Sequence, residues 1–202
     1  MYSSKEIRWF IPKRCEHIEK WFSAKNLNFT KINARTDFYL YLPDKTDLSI
    51  KLREGNIEFK LRRKKYELSS LASSAKGYFE DWVRWGFKVV QDDKLSNEII
   101  QERKYNWIEV LKERMGVKVT HDSNKNLSIV GIDERVPYGC QIEYTRLIIN
   151  NEEWFTFGTE WFGDSVLELE SKFTDEIIGN TLLESKDSMG YNEFLNKITK
   201  HL

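Results

Sequence analysis

Between Leu48 and Lys65 apolar and charged residues alternate around a Glu54-Gly55-Asn56 turn, which predicts a β-hairpin with two unlike faces. Counting by twos puts Ser49, Lys51, Arg53, Glu58, Lys60 and Arg62 on one face and Leu48, Ile50, Leu52, Ile57, Phe59 and Leu61 on the other. A face ranked with cations is either a solvated sheet surface or the wall of an anion-binding cavity.

The same period recurs along the chain. Lys5 to Ile11 reads as a short strand closed by Pro12, and Cys15 to Lys25 as a helix with Ile18, Trp21 and Phe22 on one side. Arg35 to Leu42 alternates again, with Arg35, Asp37, Tyr39 and Tyr41 sharing a face. Leu68 to Lys76, rich in Ser and Ala, reads as a loop or short helix. Gly77 to Val90 is a strand carrying Trp82, Arg84, Gly86 and Lys88 on one side.

Leu95 to Ile100 is a candidate short helix. Trp107 to Thr120 fits a bent strand or strand pair that sets Lys112 and Arg114 on one face, with a helix as competitor. Leu127 to Gly131 is a short strand, and Tyr138 to Asn150 meets Glu152 to Trp161 across an Asn150-Asn151 turn. The polar face of that hairpin carries Gln141, Glu143, Thr145, Thr156 and Glu160. Val166 to Glu170 is a last strand or a helix start, and Tyr191 to Leu202 a helix with Phe194, Leu195 and Ile198 as its stripe.

About eight mostly antiparallel strands with helices at the edges define an α+β class, an eight-stranded antiparallel β-barrel or tunnel with helices packed outside. An ordinary small barrel turns its apolar face inward. Here one face is apolar and the other densely charged, which fits a barrel with a helix-covered apolar exterior and a polar, ionic interior.

Composition narrows the function. The 202 residues, 40% apolar, suffice for one domain spanning residues 1–202. Lys plus Arg and Asp plus Glu each total 32, a balance that argues against general nucleic-acid or anionic-membrane affinity. Cys15 and Cys140 do not make a disulfide framework, and His17, His121 and His201 share no zinc-like spacing. No signal peptide or apolar run of membrane-spanning length is visible, so a cytoplasmic protein is expected. Arg62-Arg63-Lys64-Lys65 reads as a solvated strand end, and Trp154-Phe155-Thr156-Phe157 as packing.

The order of elements resembles the CYTH superfamily of triphosphate tunnel enzymes. Leu48-Ser49-Ile50-Lys51-Leu52-Arg53 and Ile57-Glu58-Phe59-Lys60-Leu61-Arg62 resemble its adjacent basic strands, and Leu167-Glu168-Leu169-Glu170 its late E-x-E strand. Its opening E-x-E-x-K corresponds to Glu6-Ile7-Arg8-Trp9-Phe10, where only the first acid stands. The resemblance implies an anionic, phosphorylated small molecule held by Arg8, Arg35, Lys51, Arg53, Lys60, Arg62, Arg84, Lys88, Lys112 and Arg114. It also implies, if the protein is catalytic, Mg²⁺ or Mn²⁺ on acids drawn from Glu6, Glu143, Glu160, Glu168 and Glu170.

Arg8 puts a cation where a metal is expected, and Phe10 removes a phosphate contact. Three readings stand: a metal-dependent hydrolase of a triphosphate or polyphosphate, a non-catalytic anion-binding or interaction module on the same barrel, and a surface-charged β protein without a tunnel.

Overall fold

The computed structural model describes residues 2–29, 34–88, 94–165 and 167–199. Among these residues nine strands run in chain order: β1 (Tyr2–Ile11), β2 (Arg35–Leu40), β3 (Leu48–Arg53), β4 (Asn56–Ala72), β5 (Ala75–Lys88), β6 (Trp107–His121), β7 (Leu127–Gly131), β8 (Gly139–Ile149) and β9 (Glu152–Phe162). Neighbours pair in the order β2-β3-β4-β5-β1-β9-β8-β6, and β6 pairs again with β2, which closes an eight-stranded antiparallel barrel. The ninth strand, β7, hangs on the far half of β6 and extends the sheet beyond the closure.

Two tight hairpins fix the register. Glu54 and Gly55 both adopt positive φ (47° and 71°), as do Asn150 and Asn151 (50° and 64°), the twist that matches a two-residue connection to its strands. With the period anchored there, Lys51 faces Glu58 across β3 and β4, and Glu143 faces Gly158 across β8 and β9.

Among the described residues four α-helices flank the barrel: α1 (Glu16–Ser23), α2 (Lys94–Ile100), α3 (Ser171–Ile178) and α4 (Tyr191–Thr199). The largest apolar cluster lies outside the barrel wall, where Ile7, Trp9, Ile142, Tyr144 and Phe157 meet Ile18 and Phe22 of α1 and Ile177 and Ile178 of α3. A second cluster, with Phe10, Val110, Leu147, Phe194 and Leu195, stops one end of the barrel under α4. The barrel is thus inverted: its main packing core is external, and its interior beyond the apolar plug under α4 is left to polar groups. No helix among the described residues is long and apolar enough to cross a membrane.

Three expectations are corrected. Leu68 to Lys76 is neither loop nor helix, because β4 runs to Ala72 and β5 starts at Ala75. Register shifts at Arg62/Lys64, Lys65/Leu68 and Ser70/Ala72 break the two-residue period and hide the strand, while small Ala72 and Ala75 are buried at its turn. Trp107 to His121 is one strand, so the helical alternative falls. Leu167 to Glu170 is irregular chain, so no E-x-E strand forms there; Leu167 is buried in the external core and Glu170 precedes α3. The readings at Val89, Val90, Val166 and 200–202 lie outside the described residues.

Candidate functional site

Alternation along the closed strands delivers one residue in two to the interior, where they surround a cavity of about 550 Å³. Among the described residues ten Lys or Arg side chains and five Glu line it. Arg8, Arg35, Lys51, Arg53, Lys60, Arg84, Lys112 and Arg114 are among the cations, and Glu6, Glu143 and Glu160 among the acids. Four candidates stand elsewhere. Arg62 is on the inner face but tied to Glu80 (2.6 Å) and Glu193 (3.3 Å) at the end covered by α4. Lys88 is exposed at the end of β5 and outside the lining, and Glu168 and Glu170 are exposed outside the barrel.

Three ion clusters order the lining. In the first, Asp37, fully buried, accepts two hydrogen bonds from Arg53 (2.8 and 2.6 Å) and also meets Lys112 (3.1 Å) and Arg35 (3.5 Å). Lys112 also donates to the Tyr39 hydroxyl (2.8 Å), and Lys51 pairs with Glu58 (2.9 Å). One carboxylate thus serves three cations.

The second cluster crosses three strands. Arg8 on β1 reaches over β9 to Glu143 on β8 (2.6 Å) and donates to Thr156 (2.7 Å). The path needs Gly158, since a Cβ there would stand 2.8 Å from the Arg8 guanidinium carbon. The other oxygen of Glu143 takes Gln141 (3.0 Å) and Arg114 (3.5 Å). In the third cluster Glu6 accepts from Lys60 and from Ser4 (2.9 Å). Glu160, in register with Glu6 across β1 and β9, makes no ion pair within 4 Å among the described residues, and its charge acts at longer range on Lys60 and Arg8.

Burial and charge set the protonation states. Burial pushes the Glu143 and Asp37 carboxyls upward, but the adjoining cations outweigh it and hold both well below the usual range. Burial drives the Lys112 ammonium far down, against the pull of Asp37, and with Arg53 it brings Lys51 to about 8. At the open end Arg84 lies over the Tyr2 ring (4.8 Å), makes no ion pair within 4 Å and acts on the Glu58 carboxylate at longer range, Arg135 has no acid partner, and Lys118 donates to the Glu134 carbonyl (2.6 Å), all among the described residues.

The acids do not fit a divalent-ion centre. Among the described residues no three His, Cys, Asp or Glu side chains come together as ligands, Glu143 is saturated by Arg8, Arg114 and Gln141, and Glu6 is held by Lys60. The arrangement is a cation-rich enclosure whose acids chiefly space and orient its cations.

Sequence reasoning left several lining residues unassigned. Glu58 was on the charged face already, and Glu80 follows from continuing the Trp82/Arg84 alternation backwards. Arg135 sits in a loop and Tyr191 at the start of α4, where no strand period points inward.

Fold and lining together define a closed antiparallel barrel with a basic interior. No family model and no curated protein matches the sequence. Among solved structures, a Pyrococcus horikoshii protein is 15% identical over 93% of this chain and 98% of its own, with a TM-score of 0.39. A conserved hypothetical protein of Pyrococcus furiosus is 12% identical over the same shares, 93% and 98%, with a TM-score of 0.40.

Proposed function

We propose that this protein binds a triphosphate- or polyphosphate-type anion inside the barrel and holds it without a divalent metal. The observation that carries this reading is the excess of ten cations over five acids around one enclosed cavity. Even counting Asp37 beneath the wall, basic side chains outnumber acids by four, and a bound polyphosphate favours the charged forms of Lys51 and Lys112, which burial alone opposes. The CYTH likeness of the basic strands points to the same ligand class.

Arg8 has the part of a fixed cation in place of a metal. Its guanidinium is anchored by Glu143 and Thr156, so it stands preorganised and pays little ordering entropy on binding. Hydrolysis is the second reading, favoured by two lining carboxylates, Glu160 and Glu6, facing each other across β1 and β9. Calorimetry with sodium tripolyphosphate, in EDTA and in Mg²⁺, separates the two while phosphate release is followed. Metal-free binding that weakens with salt, with no turnover, is expected; binding that requires Mg²⁺ and releases phosphate makes the protein a hydrolase. No binding under either condition removes the phosphate ligand.

Lys51 gives the binding a pH signature. Its ammonium titrates at about 8 because it is buried beside Arg53, and a bound anion favours its charged form. Proton uptake on binding is therefore expected near pH 8, read from calorimetry in buffers of different ionisation enthalpy, with affinity falling at higher pH. Equal affinity on both sides of pH 8 and no proton uptake would separate Lys51 from the ligand.

A further inference from the structure

The sheet does not end with the barrel. β7 pairs with β6, from Val117 opposite Gly131 to His121 opposite Leu127, and its other edge meets no strand among the described residues. The turn between them sets which backbone groups face that edge. Asp122 N–H donates to the Asn126 carbonyl (2.9 Å), so Asn126, Ser128 and Val130 direct their backbone groups to β6, and Leu127, Ile129 and Gly131 direct theirs away. Gly131 is already served: its N–H donates to the Glu134 carboxylate (2.8 Å), and its carbonyl accepts from the Glu134 N–H (3.0 Å). What the open edge offers is the N–H and C=O of Leu127 and of Ile129.

Natural sheets blunt such an edge with a charge, a proline or a bulge, and Leu127-Ser128-Ile129-Val130-Gly131 carries none of them. Instead Leu127 and Ile129, each 41% exposed, stand on one face. These edge groups are also their own complement. An antiparallel copy of β7 centred on Ser128 sets Leu127 opposite the copy's Ile129 and Ile129 opposite its Leu127. Both pairs then exchange two N–H···O=C bonds, so a two-fold axis uses every group on offer. Charge agrees with this register. Lys125 falls opposite the copy's Gly131, where the Glu134 carboxylate is held against the Gly131 N–H. Lys125 and Glu134 are exposed, and neither makes an ion pair within 4 Å among the described residues. A foreign peptide would meet the same backbone groups without this reciprocal charge match.

We infer that the β7 edge joins two copies of this chain into an isologous dimer, β7 to β7, with one antiparallel sheet running from barrel to barrel. The contact is separate from the cavity and independent of what the cavity binds. It is also short, which places it among weak, reversible associations with a dissociation constant on the order of 10–100 μM.

Sedimentation of the full chain from about ten-fold below to about ten-fold above that range reads the equilibrium, and amide hydrogen exchange reads the contact. The Leu127 and Ile129 amides are expected to slow as the dimer fills, while those of Ser128 and Val130, bonded to β6 throughout, keep their rates. Ile129→Pro removes an outward N–H without touching the β6 ladder and should weaken association at least about ten-fold. Two further variants do not depend on a proline being tolerated. Lys125→Glu and Glu134→Lys each set like charges together in their own dimers and should weaken association by about three- to ten-fold. An equimolar mixture of these two should recover it, because both contacts again pair an acid with a base. A chain that stays monomeric over the whole range overturns the inference. So does a dimer that Ile129→Pro leaves at parental strength, a mixture no tighter than the single variants, or slowed exchange on a different surface.

Discussion

Replacing Asp37 by Asn is expected to lower the unfolding free energy by about 3–5 kcal/mol, the cost of stripping one partner from a buried ion cluster. Asp37 is fully buried, and its carboxylate is the shared counter-ion of Arg53, Lys112 and Arg35. Asn keeps the shape and accepts one hydrogen bond, but it leaves three cations facing one another. Lys112, itself 3% exposed, cannot turn to solvent. The cation cluster holds the Asp37 pKa down in the fold, so its contribution is complete above the unfolded value of about 4 and lost as the pH falls below it. Urea denaturation should therefore show the variant lacking part of the acid slope of the parent. Tripolyphosphate supplies the missing negative charge, and at about 100 times its dissociation constant it should restore about 2.7 kcal/mol by linkage alone. A loss under about 1 kcal/mol would mean that the cations are compensated by other groups.

Arg84→Glu is expected to weaken tripolyphosphate binding by at least about 100-fold, as one charge-assisted contact is removed and a repulsive charge introduced. Arg84 lines the mouth and makes no ion pair within 4 Å among the described residues; the Tyr2 ring and, at longer range, the Glu58 carboxylate engage it, so the fold gives up little with it. Lys60, across β4 in register with Arg84, offers the new Glu a partner, and the melting temperature should stay within about 3 °C of the parent. Lys88→Glu is the matched control: it lies four residues on along the same strand but is exposed and outside the lining. Beyond about one Debye length its effect should be screened to within about two-fold at physiological salt. Equal losses for the two variants would sink the cavity as the binding site, leaving only a diffuse field.

Much of this was legible from alternation alone. Two clean hairpins at Glu54-Gly55 and Asn150-Asn151 fix which residues share a face, so Lys51, Arg53, Lys60, Glu143 and Glu160 follow by counting. Legibility stops where the period breaks. Bulges in β4 hide its second half, and Arg62 is withdrawn from the cavity by Glu80 and Glu193, the latter distant in sequence and on α4. Glu168 and Glu170 alternate like a strand, yet the burial of Leu167 in the external core sets them outside the barrel. Local pattern gives faces; which end of a barrel is closed is settled by contacts some 150 residues apart, such as Asn196 to Leu42.

The external position of the main packing core has an evolutionary consequence. Where a barrel is filled with interlocked side chains, every new lining residue disturbs the packing that holds the fold together. Here the load is borne by the outer wall and its helices, so lining positions such as Arg84, Lys118 and Arg135 are free to drift in charge and size. If the cavity binds an anion as proposed, such a scaffold can change ligands by successive small edits at its mouth, while Asp37 and its cations stay fixed as the tie that each edit must leave untouched.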